Sequence, residues 1–223
     1  MAVAGYGDAI VTPARIDLSA PAPRPLMIVA HGYGEDPEPM CDLFRSIAAG
    51  RAFVLCLRGT PRKPPATGSE YLSEWSLALE LDAALAALHA RYGDRLEADA
   101  IVWVGFSMGA SFAVMTIAER PTQLPRVVMI EGGVTDWSPA RIQRFAAHGG
   151  KRVLFGCGRA SRVGVTQSIA KQMRAFGLEA DVAIGSYPDG SEVGHDWGGP
   201  LADAMRTRFE WLIADDPRWK IGR

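Results

Sequence analysis

Six short, nearly continuous apolar runs recur along the chain, with amphipathic segments between them. The runs span residues 25–32, 52–59, 100–107, 126–133, 151–158 and 179–186. Apolar runs of this length, without alternating polar positions, are typical of parallel strands that are covered on both faces. The pattern therefore predicts an α/β protein with a mostly parallel, doubly wound sheet and helices on both faces.

Three of the intervening segments carry apolar residues at helical spacing. The groups are Leu77, Leu81, Ala84, Leu85, Leu88 and Tyr92; Val165, Ile169, Met173 and Phe176; and Leu201, Met205, Phe209 and Leu212. Each group predicts a helix that turns this stripe towards the sheet. The segment 8–18 predicts one or two antiparallel edge strands, since Pro13 lacks an N–H for an inner strand's ladder.

The length and composition fit one globular domain over residues 1–223, in which 1–24 is an edge strand or an irregular N-terminal segment. The 24 basic and 25 acidic side chains are mixed along the chain and give a net charge of −1. Neither sign forms a tail, so composition disfavours nucleic acid or an anionic membrane surface as a partner. We expect a small-molecule substrate.

The N-terminal stretch has neither a basic segment nor a sustained apolar core, and no stretch approaches the roughly 18 apolar residues of a membrane span. We therefore expect a cytoplasmic protein without a membrane span. Cys41, Cys56 and Cys157 show no Cys-x-x-Cys or Cys/His spacing, so no metal site is predicted. Cys56 and Cys157 lie in apolar runs, where we expect free thiols that pack as small hydrophobic side chains.

The run at 100–107 ends in "GFSMG", which places Ser107 between Gly105 and Gly109. A predicted strand precedes this pattern and the helical segment "ASFAVMTIAER" follows it, as a Gly-x-Ser-x-Gly nucleophile turn requires. Such a turn strains the serine backbone and brings other backbone so close to the two glycines that side chains there would collide. We therefore predict that Ser107 is a nucleophile. The alternative is a structural Gly-Ser turn.

A serine hydroxyl needs a general base, and imidazole titrates in the useful range. His195 lies in a glycine-rich loop between the last strand and the last helix. This loop belongs to the carboxyl edge of the sheet, where sites form in open α/β proteins. His89 and His148 fall on or beside helices, and His31 opens a loop that it is better suited to shape. His195 is therefore the predicted base.

The motifs "AHGYGED" at 30–36, "GFSMGAS" at 105–111 and "VGHDW" at 193–197 resemble those of the α/β-hydrolases. The likeness is greatest to the phospholipase and carboxylesterase group, which includes acyl-protein thioesterases. The resemblance implies an α/β-hydrolase fold and hydrolysis of carboxylic esters or thioesters through an acyl-enzyme, without a cofactor. It also implies that the backbone N–H groups of Tyr33 and Met108 form the oxyanion hole.

The acid of the expected triad departs from this resemblance. Similar proteins carry Asp in the loop after the strand that here reads "VLFGCG", and Ser161 occupies that position. Some α/β-hydrolases place the acid one strand earlier, which assigns the role to Glu131 in "VVMIEGG". A carboxylate there needs a partner to offset its desolvation, and a histidine N–H is suitable. Asp136, or a Ser–His pair with an acid elsewhere or none, are the alternatives.

Only about twenty residues separate the strands that flank "SPARIQRFAAH", which is too few for a large lid domain. An open site is expected, and loop aromatics are candidates to line an apolar acyl pocket. Trp75 and Trp197 are the predicted substrate-binding residues, and Tyr33, Trp137 and Tyr187 also lie in such loops. A serine esterase or thioesterase is the leading hypothesis. A non-catalytic binding protein is the alternative, a peptidase is a weaker one, and the oligomeric state stays open.

Overall fold

The computed structural model describes residues 1–15, 22–120 and 122–220 of the chain. The strands are β1 (Ile10–Thr12), β2 (Arg24–Ala30), β3 (Phe53–Cys56), β4 (Thr60–Pro61), β5 (Ser69–Glu70), β6 (Leu96–Phe106), β7 (Arg126–Ile130), β8 (Arg152–Cys157) and β9 (Glu179–Ile184). The helices are α1 (Pro37–Ala48), α2 (Glu74–Tyr92), α3 (Met108–Ser111), α4 (Ala113–Glu119), α5 (Pro139–Ala147), α6 (Ala160–Ala175) and α7 (Gly199–Ile213). Short 3-10 turns lie at Gly93–Arg95 and Pro217–Trp219.

Within these ranges, seven strands form the central sheet in the order β1-β3-β2-β6-β7-β8-β9. β1 pairs antiparallel to β3, and the other neighbours in this sheet are parallel. The chain passes from β2 to β3 on one side and then crosses to β6 on the other side of β2. The strand order therefore reverses between β2 and β6, and the carboxyl ends of such strands open a crevice in which ligands bind.

Two hydrophobic layers cover the sheet. On one face, α1 and α7 bury Phe44 and Phe209 against the strands. On the other face, α2, α4, α5 and α6 form a second layer that includes Leu81 and Phe145. The predicted mostly parallel sheet with helices on both faces is confirmed. No helix in the described ranges combines the length and the apolarity that a membrane crossing requires.

The apolar stripe predicted for the helix before Gly177 is wrong in its rotation. The buried residues of α6 are Thr166, Ala170 and Met173, whereas Val165 and Phe176 are exposed. Small side chains at two of the buried positions let the helix lie close to β8 and β9. The helix thus turned inward a face that includes these small side chains, while Val165 and Phe176 stayed exposed.

The predicted edge segment 8–18 contributes the single strand β1 in its described part, and its residues 16–18 lie outside the described residues. The segment 58–71, which shows no apolar period, contains the short antiparallel pair of β4 and β5. Between β7 and β8, where every residue is described, α5 is the single helix and no lid domain is inserted.

The expectation that Cys56 carries a free thiol is wrong, because Cys41 and Cys56 form a disulfide. Cys41 lies on the buried face of α1, which packs on the sheet beside β3. The two Cα atoms are 5.9 Å apart, within the range that a disulfide spans. Sequence spacing does not reveal this pairing, since it depends on how α1 folds back over the strand that follows it.

Candidate active site

Ser107 lies in the sharp turn that joins β6 to α3. Its backbone has φ 49° and ψ −110°, a strained conformation that residues other than glycine rarely adopt. Its N–H donates to the carbonyl oxygen of Ile130 at 2.9 Å, which ties the turn to the end of β7. Ser107 therefore sits at the carboxyl edge of the sheet, beside the point where the strand order reverses.

Close backbone approach requires the glycines around Ser107. A Cβ atom on Gly105 would lie 2.6 Å from the carbonyl oxygen of Gly109, and one on Gly109 would lie 2.4 Å from that of Ala30. The predicted steric reason for both glycines is confirmed. Gly132, which the sequence did not single out, is constrained in the same way, because its Cβ would lie 2.2 Å from the Ser107 carbonyl oxygen.

His195 reaches Ser107 from the loop between β9 and α7. Its Nε2 atom lies 2.8 Å from Ser107 Oγ, which is hydrogen-bond distance. The imidazole packs against the Phe106 ring with 5.0 Å between the ring centroids, and the His195 side chain is 43% exposed. The ring is thus supported by an aromatic neighbour and open to solvent.

A buried carboxylate, that of Glu131, lies on the Nδ1 side of the His195 imidazole. Glu131 follows β7 with a positive φ of 50°, and its side chain is fully buried. Its Oε1 atom accepts from the backbone N–H of Gly158 at 2.7 Å and of Arg159 at 3.2 Å. These donors lie at the start of α6, where the helix dipole favours a negative charge. The Oε2 atom lies 3.4 Å from His195 Nδ1.

The Arg159 guanidinium contacts both this carboxylate and the imidazole. Its Nε donates to Glu131 Oε2 at 2.6 Å, and its Nη2 lies 3.0 Å from His195 Nδ1. No sequence pattern singled out this residue. The signal that could have revealed it is a basic side chain directly after Gly158, in the loop that should carry the triad acid.

Two backbone N–H groups lie near the Ser107 turn. Met108 is the first residue of α3, so its N–H has no acceptor inside the helix. In the described ranges neither this N–H nor that of Tyr33 donates a hydrogen bond. The segments that carry them are close, since a Cβ on Gly109 would lie 2.6 Å from the His31 carbonyl oxygen. Both N–H groups are therefore available at this edge of the sheet.

Glu35 joins the loop after β2 to the loop that carries His195. Its Oε2 accepts from the N–H of Gly32 at 2.7 Å, and its Oε1 accepts from Trp197 Nε1 at 3.2 Å. Glu35 is part of the motif "AHGYGED", but nothing in the sequence assigned it a role. Trp197, a predicted substrate-binding residue, is thereby fixed beside the loop after β2.

The other loop aromatics fall into different environments. Trp75 lies in the first turn of α2 and is 69% exposed. Within the described ranges no hydrogen bond or ring contact joins it to the Ser107 turn. Trp137 lies in the loop before α5, as predicted, but it is buried with its ring edge-on against Phe145 and is not exposed to line an open pocket. Of the two predicted substrate-binding residues, Trp197 is the one that lies in the His195 loop itself, and it contacts the loop after β2 through Glu35.

Solved structures of esterases share this architecture. A carboxylesterase from Mesorhizobium loti is 24% identical over 83% of this chain and 88% of that chain, with a TM-score of 0.59. The esterase PE8 is 19% identical over 92% of this chain and 98% of that chain, with a TM-score of 0.61. A Bacillus cereus carboxylesterase is 14% identical over 92% and 93%, with a TM-score of 0.60. The chain has the α/β-hydrolase fold. No protein-family profile and no curated protein sequence matches it.

Within this α/β-hydrolase fold, the three positions considered for the acid are far from equivalent. Glu131 approaches His195, as described above. The Asp136 N–H donates to the Gly133 carbonyl oxygen and its own carbonyl oxygen accepts from Arg141 Nη1, whereas in the described ranges its carboxylate has no hydrogen-bond partner. Ser161 is exposed on the first turn of α6. The structure thus brings Glu131 to the imidazole and places neither Asp136 nor Ser161 there.

His31 and Cys157 are further titratable side chains at this edge of the hydrolase fold. His31 is buried, and its Nδ1 and Nε2 atoms lie 2.7 Å and 2.8 Å from the carbonyl oxygens of Gly32 and Arg58, which fits a loop-shaping role. Burial raises the pKa of the Cys157 thiol, so this cysteine is a poor nucleophile. Among the described residues, no three His, Cys, Asp or Glu side chains are placed to hold a metal ion.

Proposed function

We propose that this protein is a serine hydrolase that cleaves carboxylic esters or thioesters through an acyl-enzyme intermediate. The observation that carries the proposal is the 2.8 Å contact between His195 Nε2 and Ser107 Oγ at a strained turn. Several solved structures that share the fold are esterases, which supports the reaction class. Ser107 is the nucleophile, His195 the general base and Glu131 the acid of the proposed triad.

In the first half-reaction, Ser107 Oγ attacks the acyl carbon while its proton moves to His195 Nε2. This transfer requires that Nε2 is unprotonated and that Nδ1 carries the ring proton. The Nδ1–H group then donates to Glu131, whose negative charge offsets the imidazolium as it forms. The N–H groups of Tyr33 and Met108 donate to the oxyanion of the tetrahedral intermediate.

In the second half-reaction, water replaces the leaving group. It begins after the imidazolium has protonated the departing alcohol or thiol, which completes the first half-reaction and leaves the acyl group on Ser107. A water molecule then gives a proton to His195 and attacks the acyl carbon. Collapse of this second intermediate returns the proton to Ser107 and releases the carboxylic acid. The proposed cycle uses no cofactor.

Small-molecule esters or thioesters suit the open site. Residues 131–151, all within the described part, supply one helix and no lid, so the acyl group is bound by loops alone. Trp197 supplies an aromatic side chain in the His195 loop, and Trp75 supplies an exposed one in the first turn of α2. Aromatic walls with few polar groups are typical of sites that bind apolar acyl chains.

A fluorophosphonate probe tests the proposal. We expect one covalent adduct on Ser107 of the folded protein and none on Ser107→Ala. The matched control is Ser111→Ala, one helical turn further on, where the hydroxyl accepts from the Gly133 N–H; it should label normally. If the folded wild-type protein forms no Ser107 adduct, the proposal fails. Ester and thioester substrates with the same acyl group then decide between the two leaving-group classes.

A ligand-binding protein without turnover is the competing function. The contact of Arg159 Nη2 with His195 Nδ1 favours it, because an Nδ1 that accepts from the guanidinium leaves the ring proton on Nε2, where it blocks transfer from Ser107. This alternative predicts ligand binding that Ser107→Ala leaves unchanged, together with no hydrolysis of any ester in the panel. The same probe and substrates therefore separate the two functions.

A further inference from the structure

The contact between Arg159 and His195 determines which ring nitrogen can carry the proton. A guanidinium has five N–H donors and no acceptor. A hydrogen bond from Arg159 Nη2 to His195 Nδ1, 3.0 Å away, therefore requires an unprotonated Nδ1. The neutral ring then has its proton on Nε2 and donates it to Ser107 Oγ. In this tautomer His195 cannot accept the serine proton.

Charge repulsion also opposes proton transfer from Ser107 to His195 while Arg159 stays beside the ring. When the ring accepts a proton, an imidazolium lies directly against the guanidinium, and two like charges at this distance repel. The Glu131 carboxylate already pairs with Arg159 Nε at 2.6 Å. One buried negative charge cannot balance both cations. A second anion is needed to free the carboxylate for the imidazole.

The Arg159 guanidinium is available to such an anion. The side chain is 30% exposed, and within the described ranges its Nη1 atom has no hydrogen-bond partner. A carboxylate can accept two parallel hydrogen bonds from one guanidinium. We propose that Arg159 is a specificity-determining residue that selects esters bearing an anionic group, which draws its guanidinium away from His195. This inference rests on the proposed serine hydrolase function.

The imidazole can change tautomer by exchanging protons with water, and no other reactant is needed. Nε2 releases one proton to water, and Nδ1 takes one proton from water, so the ring stays neutral. Solvent reaches the half-exposed imidazole. The new Nδ1–H donates to Glu131 Oε2, which lies 3.4 Å away. Nε2 is then free to accept the Ser107 proton.

Two matched pairs of esters test the selection. The first pair places the anion on the leaving group, with 4-acetoxybenzoate against 4-acetoxybenzamide. The second places it on the acyl group, with the 4-nitrophenyl monoester of adipic acid against its methyl ester. We expect kcat/KM of the wild-type enzyme to favour the anionic member of at least one pair by about tenfold or more, the contribution of one charge-assisted contact.

Arg159→Gln should abolish this preference in a distinctive way. For the anionic ester KM should rise, and for the neutral ester kcat should rise, because the ring no longer faces a cation. Arg159→Lys should retain part of the preference. The control Arg162→Gln changes a nearby cation for which the structure gives no contact with Glu131 or His195, and it should leave the ratio unchanged. An equal loss on both members of each pair, or an unchanged ratio, would overturn the inference.

Nitrogen-15 NMR of labelled histidine gives a second readout that needs no Arg159 variant. At a pH where the ring is neutral, the His195 signal of the free wild-type protein should report the Nε2–H tautomer. Addition of adipate should convert it to the Nδ1–H tautomer, and His195→Gln assigns the signal. An Nδ1–H tautomer already present without adipate refutes the inference. Absence of Ser107 labelling and of all ester turnover is a different result, which refutes the proposed function instead.

Discussion

The Glu131 carboxylate lies 3.4 Å from the His195 imidazole although the two residues are 64 positions apart in the sequence. Glu131 comes directly after β7, and β8 is the neighbouring strand. The Glu131 side chain therefore reaches the backbone N–H groups that follow β8. The loop after β8 thus holds a carboxylate that it does not itself supply. A carboxylate therefore lies beside the imidazole although Ser161 occupies the position in that loop where the acid was expected.

Glu131→Gln should lower kcat for a neutral aryl ester by about 10⁴-fold, the typical cost when a triad carboxylate loses its charge. The amide keeps the shape of the side chain but no longer offsets the imidazolium. Steady-state kinetics with a thermal melt checks this prediction. Asp136→Asn is the matched control and should stay near wild-type activity, because its carboxylate does not reach the ring. Reversed effects would assign the acid role to Asp136.

The fold was predictable because the patterns that indicate its strands and helices lie within short segments of the sequence. Each of the six apolar runs became a strand of the central sheet, and the alternation with helices determined the layer order. The sharp turn at Ser107 was predictable for the same reason, since the glycines that this turn requires lie within two residues of the serine. His195 needed one more step, namely that loops at the carboxyl ends of parallel strands converge.

The features that the sequence did not reveal depend on contacts between distant segments. Arg159 stands against an imidazole 36 residues away, and Glu35 binds an indole 162 residues away. The rotation of α6 was wrong because helical spacing alone does not distinguish a stripe of large residues from a neighbouring stripe of small ones. In each case the deciding quantity is a distance in the folded chain.

Gly132→Ala should damage both stability and activity. The added methyl group would lie 2.2 Å from the Ser107 carbonyl oxygen, and backbone on both sides must shift to relieve the clash. We expect a loss of about 1–3 kcal/mol in the free energy of unfolding and a marked fall in kcat, measured by urea unfolding and ester hydrolysis. Gly164→Ala in α6 is the control. No heavy atom of the described chain meets its Cβ, and it should stabilise by about 0.5–1 kcal/mol.

Reduction of the Cys41–Cys56 disulfide should lower the free energy of unfolding by about 3 kcal/mol, the value expected when a loop of this size is opened in the unfolded chain. The bridge joins residues 15 positions apart, in α1 and β3. Urea unfolding with and without reductant measures the difference, and Cys41→Ala should reproduce it.

Alkylation in denaturant checks the pairing directly. Without reductant we expect one modified cysteine, Cys157, and with reductant all three. Three modified cysteines without reductant would contradict the pairing. Reducing conditions in the cytoplasm keep most such pairs open. The redox state of Cys41 and Cys56 in cells therefore also tests the expected cytoplasmic location.

Glu80 should make the folded state less stable as pH rises above the mildly acidic range. Its side chain is buried on α2 and accepts hydrogen bonds from the N–H groups of Arg58 and Gly59. Burial raises the pKa of Glu80 in spite of these donors. The folded state therefore holds the proton more tightly than the unfolded state. This contribution to stability is fully present below the unfolded pKa and is lost as pH rises through the folded pKa.

Glu80→Gln removes the titration while keeping an oxygen that both N–H groups can reach. The free energy of unfolding of the wild-type protein minus that of Glu80→Gln should fall with rising pH through this window and become constant above it. Urea unfolding at a series of pH values measures the difference. High salt should not remove this fall with rising pH, because burial of Glu80 produces it and salt screens mainly charges at the surface. A difference that rises with pH would mean that the hydrogen bonds to Arg58 and Gly59 outweigh desolvation.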